Sequence, residues 1–176
     1  MQTLSFILCA LGFVSLVSAS LIKGDKMKPV LFLVFCANML YATGYLVGGS
    51  GINGAASCYL GGVLSIINFF FESKNKPVPK WLIFVYMAAF IALNLIVGGF
   101  TILVGVAIIA CLIFVLCIGQ KDGASYRFWT VLNLAQWCLY DLLSRSYGAL
   151  AGHVAQLLFT GAGMVIHDRK KSGKTQ

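Results

Sequence analysis

The sequence contains few charged residues and very few acidic ones. Only 10% of its 176 residues are charged and 60% are hydrophobic, whereas about a quarter of the residues of an ordinary soluble domain are charged. The mean hydropathy is +0.91, and the apolar residues extend over the whole chain. This composition leaves no room for a separate soluble domain and indicates one polytopic membrane domain over residues 1–176.

Proline and paired cysteines are also scarce. The three prolines, Pro29, Pro77 and Pro79, lie at the edges of apolar segments or in loops, where they do not interrupt a helix. The six cysteines all fall inside apolar segments, and none belongs to a Cys-x-x-Cys pair. We interpret them as small buried hydrophobic residues and predict neither a metal site nor a cofactor.

Motifs of catalysis are absent from the sequence. It has no hydrolase nucleophile elbow, phosphate-binding loop or pair of metal ligands. Residues 49–54 match Gly-x-Gly-x-x-Gly, but no strand precedes them, so we discard a dinucleotide site. We therefore predict that the protein is not an enzyme.

Apolar segments make up most of the chain. A helix needs about 20 apolar residues to cross a bilayer. We predict seven transmembrane helices, at approximately 3–22, 29–48, 56–71, 81–97, 100–118, 128–146 and 149–166. An earlier start of the third helix, at Asn53, also agrees with the sequence, and the fourth and fifth helices should meet in a tight turn at Gly98-Gly99.

The basic residues orient these segments. All of the 13 Lys and Arg residues except Arg145 follow the first, third, fifth or seventh segment. They are Lys23, Lys26, Lys28, Lys74, Lys76, Lys80, Lys121, Arg127, Arg169, Lys170, Lys171 and Lys174. The positive-inside rule then places the N-terminus outside and the C-terminus in the cytoplasm. This pattern explains the net charge of +8 without a nucleic-acid partner, and the basic tail at 169–176 should bind anionic lipid headgroups.

A cleavable signal peptide at the start of the chain is disfavoured. Val17-Ser18-Ala19 resembles a cleavage site, but no Lys or Arg precedes it. Cleavage there would also leave the lysines of the first loop outside, against the charge rule. We therefore keep the first segment as a membrane span.

Two parts of the chain share a pattern. Each has an apolar segment with Leu-Tyr in its second half, a short turn, a Gly-Ala, another apolar segment and a basic end. The shared dipeptides are Leu40-Tyr41 and Leu139-Tyr140, and Gly54-Ala55 and Gly148-Ala149. Each part also follows a preceding apolar segment. We predict an all-α fold in which two parallel three-helix repeats, 1–80 and 99–168, are joined by a linker helix at 81–98.

On these Leu-Tyr segments, the Gly-Ala after each and the basic ends, the chain resembles the YgjV family of bacterial inner-membrane proteins. Its three-plus-one-plus-three arrangement is similar to that of the SWEET and PQ-loop (MtN3-like) transporter superfamily, although the sequence has no Pro-Gln dipeptide. The first resemblance covers nearly the whole chain, and the second concerns the architecture only. Together they imply a seven-helix bundle in the bacterial inner membrane, and they place the fold rather than the activity.

Polar and small residues form one stripe on each of four predicted helices, at 100° per residue. The stripes contain Asn38, Tyr41 and Tyr45; Cys58, Gly61, Ser65 and Asn68; Asn133, Gln136, Tyr140 and Ser144, with Trp137 at the rim; and His153, Gln156 and Thr160. A polar group in hydrocarbon costs free energy unless it is hydrogen-bonded. We therefore expect the stripes to face the bundle interior.

Two interpretations of these stripes remain open. In the first, they line a cavity that binds a small polar solute through Asn38, Tyr41, Asn68, Asn133, Gln136, Trp137, Tyr140 and Gln156. In the second, the amides only join packed helices, at about 0.6 kcal/mol each, in a structural or accessory membrane protein without transport. The lipid bilayer is the expected partner in both, and a homo-oligomer is compatible with either.

Three ionisable residues lie near the predicted outer end of the bundle. Asp141 and Arg145 are four residues apart, which predicts a salt bridge within one helix. Asp141 and His153 are alternatively candidates for proton coupling. The position of His153 near the outer end of its segment favours an interfacial histidine.

Overall fold

The chain folds into helices that alternate in direction. The computed structural model describes residues 2–22, 26–49 and 52–167, and this part of the chain contains seven α-helices and no strand. They are α1 (Gln2–Leu21), α2 (Met27–Gly48), α3 (Ile52–Ser73), α4 (Lys80–Gly98), α5 (Ile102–Ile118), α6 (Gly123–Leu143) and α7 (Tyr147–His167). The all-α class is thus confirmed, whereas Lys23 and the basic tail at 169–176 lie outside the described residues.

Five of the described helices, α1 to α4 and α7, are long and apolar enough to cross a membrane. Helix α5 is apolar but has only 17 residues. Helix α6 is the most polar, because it carries Arg127, Asn133, Gln136 and Asp141. The apolar helices are compatible with a protein embedded in a membrane.

Helix α6 begins and ends earlier than the sequence predicts. The Asp122 carboxylate caps its first turn by accepting a hydrogen bond from the Ser125 backbone N–H at 2.9 Å. Arg127 therefore lies inside the helix, buried, and its Nη1 donates to the Ile22 carbonyl at 3.2 Å. The helix ends at Leu143 because the chain turns there, with Arg145 at a φ of 57°.

Six of the helices close into a ring. Helix α2 packs between α1 and α3, and α6 packs between α5 and α7. The ring is completed by two contacts between helices that run in the same direction, the α1–α7 seam and the α3–α5 seam. Helix α4 packs against both α3 and α5, so it covers the α3–α5 seam from outside.

The two ends of the ring differ. We call the end that carries Lys26, Lys76 and Lys121 the basic end, and the other the opposite end. The main apolar core lies toward the basic end and includes Met27, Val30, Phe90, Val115, Ile118 and Tyr126. A hydrogen bond of 3.1 Å from Thr160 Oγ1 to Ser20 Oγ joins α7 to α1 there. The bundle is therefore densely packed at its basic end.

Candidate functional site

A cavity of about 70 Å³ lies inside the ring, and all seven described helices contribute to its wall. A single water molecule needs about 10–15 Å³ on this scale, so the cavity has room for several. Pockets for drug-sized ligands measure about 300–1,000 Å³. In the described conformation this central cavity is therefore sized for water or for a solute of few atoms.

Nine residues of the predicted stripes line the central cavity. They are Asn38, Tyr41, Tyr45, Cys58, Gly61, Asn133, Trp137, His153 and Gln156. Two of the amides use one donor elsewhere: Asn38 Nδ2 donates to the Val34 carbonyl at 2.8 Å, and Asn133 Nδ2 donates to the Ala110 carbonyl of α5 at 2.6 Å. Asn133 therefore both lines the cavity and joins two helices.

The other three predicted solute-binding residues lie outside the cavity wall. Asn68 Nδ2 donates to the Ile118 carbonyl at 3.0 Å, and its Oδ1 accepts from the Tyr86 hydroxyl at 3.1 Å, so it ties α3 to α5 and α4. The ring of Tyr140 packs edge-on against that of Trp137, with centroids 5.3 Å apart. Gln136 is half-buried. Whether these side chains bind a solute stays a prediction.

Asp141 and His153 form a buried pair. His153 Nδ1 lies 2.6 Å from Asp141 Oδ2, and the two side chains are only 9% and 0% exposed. The predicted salt bridge to Arg145 is wrong, because α6 ends at Leu143 and the Arg145 side chain is exposed beyond it. His153 lies in the second turn of α7, and neighbouring helices bury its ring; its interfacial depth in the membrane stays a prediction.

The imidazole of His153 is held between two aromatic rings. Tyr41 stacks on it with centroids 5.8 Å apart, and Trp137 stacks at 6.0 Å, with interplanar angles of 22° and 23°. These ring contacts and the hydrogen bond to Asp141 fix the position of the imidazole.

Three buried polar atoms around His153 have no hydrogen-bond partner among the described residues. They are Tyr41 Oη, Asp141 Oδ1 and Gln156 Oε1. Tyr41 and Gln156 line the central cavity, and Asp141 reaches it through His153. Buried polar groups in proteins almost always have a partner. Their concentration here provides the polar atoms needed to hydrogen-bond water or another small polar molecule.

The sequence patterns missed the contributions of α4 and α5. Cys111, Phe114 and Cys117 of α5 line the cavity, but the helix is apolar all round and shows no stripe. Asn94 of α4 is fully buried, and its Oδ1 accepts a hydrogen bond from Ser57 Oγ at 3.3 Å. A lone amide in an otherwise apolar helix is a signal that could have identified this interior face.

The described helices contain no cluster of three or more His, Cys, Asp or Glu side chains able to hold a metal ion. The six cysteines form no disulfide. Comparison with protein-family models, with curated proteins and with solved structures finds no match to the chain.

Proposed function

We propose that the protein is an integral membrane transporter or facilitator whose small polar solute passes through the central cavity. The observation that carries this proposal is the set of unpartnered buried atoms, Tyr41 Oη, Asp141 Oδ1 and Gln156 Oε1, around His153. Burying such groups unpaired costs about 1–3 kcal/mol each. A solute or water that satisfies them recovers that free energy, which is the basis of binding at this point.

All seven helices cross the membrane in this proposal, as two parallel three-helix repeats with α4 as the linker. The packing order supports the repeat, because α2 and α6 occupy equivalent central positions and the two seams each join helices that run in the same direction. A twofold axis along the membrane normal would relate such units. This is the arrangement expected from the resemblance to the YgjV family and to the SWEET and PQ-loop superfamily.

The described conformation corresponds to a closed state in this scheme. The apolar core blocks the path to the basic end, and Tyr41 and Tyr45 lie between the cavity and the opposite end. Transport by alternating access requires each barrier to open in turn. The solute therefore meets its binding groups only when the two three-helix units move relative to each other.

A structural or accessory role is the second candidate, and specific contacts favour it. Three side-chain amides form hydrogen bonds between helices, those of Asn68, Asn94 and Asn133. Such bonds are the expected use of amides in a bundle that does not transport. The two candidate functions differ in the role of Gln156. Its Oε1 has no hydrogen-bond partner among the described residues, so this atom does not join two helices.

Uptake into proteoliposomes, measured over a panel of small labelled polar solutes, tests the transport proposal. Gln156→Ala should lower the rate for the transported solute about tenfold, which corresponds to about 1.4 kcal/mol. Gln120→Ala is the matched control, because its amide donates to the Leu116 carbonyl of α5 and neither residue lines the cavity. Equal rates in both variants, or no uptake of any solute by the wild type, would favour the accessory role instead.

We further propose that the Asp141–His153 pair holds the coupling proton, since a buried imidazole–carboxylate pair can bind and release one proton. Among the described residues, the other titratable side chains that interact electrostatically with Asp141 are thiols and phenols: Cys9, Tyr41, Tyr45, Cys58, Cys138 and Tyr140. An inward proton gradient should accelerate wild-type uptake. Asp141→Asn should lose that acceleration and keep solute exchange without a gradient; acceleration that persists in this variant would place the coupling proton elsewhere.

A further inference from the structure

A second and larger opening lies between α1 and α7, at the opposite end of the ring. This cleft has a volume of about 610 Å³. Helices α1 and α7 touch nearer the basic end, where the rings of Phe13 and Phe159 are 6.2 Å apart and Ser20 bonds to Thr160. Toward their N-termini the two helices leave a space between them, and that space is the cleft.

The walls of the cleft are mostly apolar, and after Tyr147 the α7 wall consists of small residues. Phe6, Ala10 and Phe13 of α1 face Gly148, Ala151 and Gly152 of α7. The α1 wall runs from Gln2 to Phe13, which at 1.5 Å per residue is about 16 Å along the helix axis. Half of a bilayer's hydrocarbon core is about 15 Å thick. The cleft thus matches one acyl chain of one leaflet in length and in polarity.

Among the described residues that line the cleft, one carries a positive charge. Arg145 lines the cleft and its side chain is exposed. No carboxylate of the described residues forms a salt bridge with it. It is also the one basic residue of the whole sequence that does not follow an odd-numbered helix. An arginine beside an apolar cleft suits a phosphate group, to which its guanidinium can donate two hydrogen bonds.

The two seams of the ring differ in how they are covered. Helix α4 covers the α3–α5 seam and is fixed there by Asn94. No helix of the described part of the chain covers the α1–α7 seam. Both helices that border the cleft present apolar side chains to their surroundings, such as Leu11 on α1 and Leu158 on α7. Its natural occupant is therefore a molecule of the bilayer.

We propose that the cleft binds an anionic phospholipid, with one acyl chain between α1 and α7 and the phosphate on Arg145. Tyr41 and Tyr45 line both the cleft and the central cavity, so the bound acyl chain lies against the wall of that cavity. The proposal does not depend on transport, and the following experiment measures lipid binding alone.

The full chain is placed in phosphatidylcholine nanodiscs with a small fraction of phosphatidylglycerol that carries a photoreactive group on one acyl chain. Phosphatidylcholine with the same photoreactive chain is the matched probe. Cross-links should concentrate in 2–13 and 145–155 and be severalfold more frequent with phosphatidylglycerol. Equal labelling by the two lipids would overturn the assignment of the headgroup to Arg145.

Variants test the binding of the acyl chain and the binding of the headgroup separately. Ala151→Trp, and independently Ala10→Trp from the facing wall, should abolish labelling of the cleft by both lipids. Arg145→Gln should reduce labelling by phosphatidylglycerol to the level of phosphatidylcholine. Leu158→Trp, on the lipid-facing surface of α7 outside the cleft, should leave labelling unchanged. Cleft labelling that survives both tryptophan fillings would overturn the proposal.

Two other occupants give distinct results in the same samples. Displacement of the phosphatidylglycerol probe by equimolar palmitate would mean that a free fatty acid is the ligand. Cross-links between two copies of the chain through 2–13 or 145–155 would mean that a second copy fills the cleft. Either result would contradict the phospholipid.

Discussion

Within the described part of the chain, the carboxylate of Asp141 has one side-chain partner, the imidazole of His153, 2.6 Å away. Both groups are buried, so neither can replace the other with bulk water. Removing one member of a buried pair leaves the other buried and unpaired. The stability lost in this way usually exceeds the net stability that the intact pair provides. The energetic coupling between the two residues should accordingly be large.

A double-mutant cycle on thermal unfolding in detergent measures that coupling. Asp141→Ala and His153→Ala should each lower the stability, and the double variant should be more stable than the sum of the two losses predicts, by about 1–3 kcal/mol. Asp141→Ala combined with Ser15→Ala, which removes a distant bond from Ser15 to the Leu33 carbonyl, is the additive control. Additivity within about 0.5 kcal/mol for the first pair would show that the pair is not coupled.

Gly12 is required by the close approach of α2. A Cβ at this position would lie 2.9 Å from Tyr41 Cδ2 and 3.3 Å from the Ala37 carbonyl oxygen. The ring of Tyr41 also stacks on His153, so it cannot move without disturbing that residue. Space at Gly12 therefore determines where the aromatic wall of the cavity lies.

Gly12→Ala should lower the unfolding temperature and change the near-ultraviolet circular dichroism of the aromatic cluster. Gly105→Ala is the matched control, since a Cβ there meets no atom within 4 Å. It should raise the stability by about 0.5–1 kcal/mol, because alanine loses less conformational freedom than glycine in a helix. The two substitutions should thus have opposite signs, and a stabilising Gly12→Ala would contradict the contact with Tyr41.

At the scale of elements, α4 is held to the ring by buried side chains. Asn94 accepts a hydrogen bond from Ser57 of α3, and its Nδ2 lies 3.8 Å from Cys111 Sγ of α5. The Tyr86 hydroxyl donates to Asn68 at 3.1 Å. These bonds anchor α4 at two levels along its length.

Asn94→Ala should release the second half of α4. The expected loss of stability is about 1 kcal/mol, within the range measured for interhelical hydrogen bonds in membrane proteins, and hydrogen exchange in residues 91–98 should accelerate. Ile96→Ala removes a side chain that is 82% exposed on the same turn, so it serves as the control. If both variants exchange alike, Asn94 does not anchor the helix.

Helix bounds followed from the sequence wherever apolar length decides them, as in α2 and α4. The bounds of α6 did not, because Asp122 acts as a cap and Arg127 is buried by its bond to Ile22. Neither effect is visible in hydropathy. For the same reason, hydropathy alone predicts a loop at the capped start of α6.

The candidate site was predictable in part. Helical periodicity correctly turned Asn68, Gln156 and Thr160 toward the interior, where all three are buried. Periodicity could not show which of these residues bonds to another helix, because such bonds depend on the distances between helices. Asn68 meets two partners, whereas Gln156 Oε1 meets none. The pairing of Asp141 with His153 was missed because the two lie on different helices.

At the scale of the whole molecule, the orientation in the membrane is still a prediction. The positive-inside rule places the basic end in the cytoplasm. Single cysteines introduced as Lys76→Cys and Ser146→Cys lie at opposite ends of the ring. A membrane-impermeant maleimide added to intact cells should label Ser146→Cys, and Lys76→Cys should react only after the membrane is permeabilised. Labelling of both in intact cells would contradict an odd number of crossings between them.

Helix α4 reinforces one of the two boundaries between α1–α3 and α5–α7 and leaves the other without a covering helix among the described residues. It spans one boundary between α1–α3 and α5–α7, while the other boundary depends on Phe13 with Phe159 and Ser20 with Thr160. Any rotation of α1–α3 relative to α5–α7 must therefore pivot near α4 and widen the cleft between α1 and α7. The fold thereby permits lateral separation on one flank only, so that a molecule wedged on that flank would govern how far the halves part.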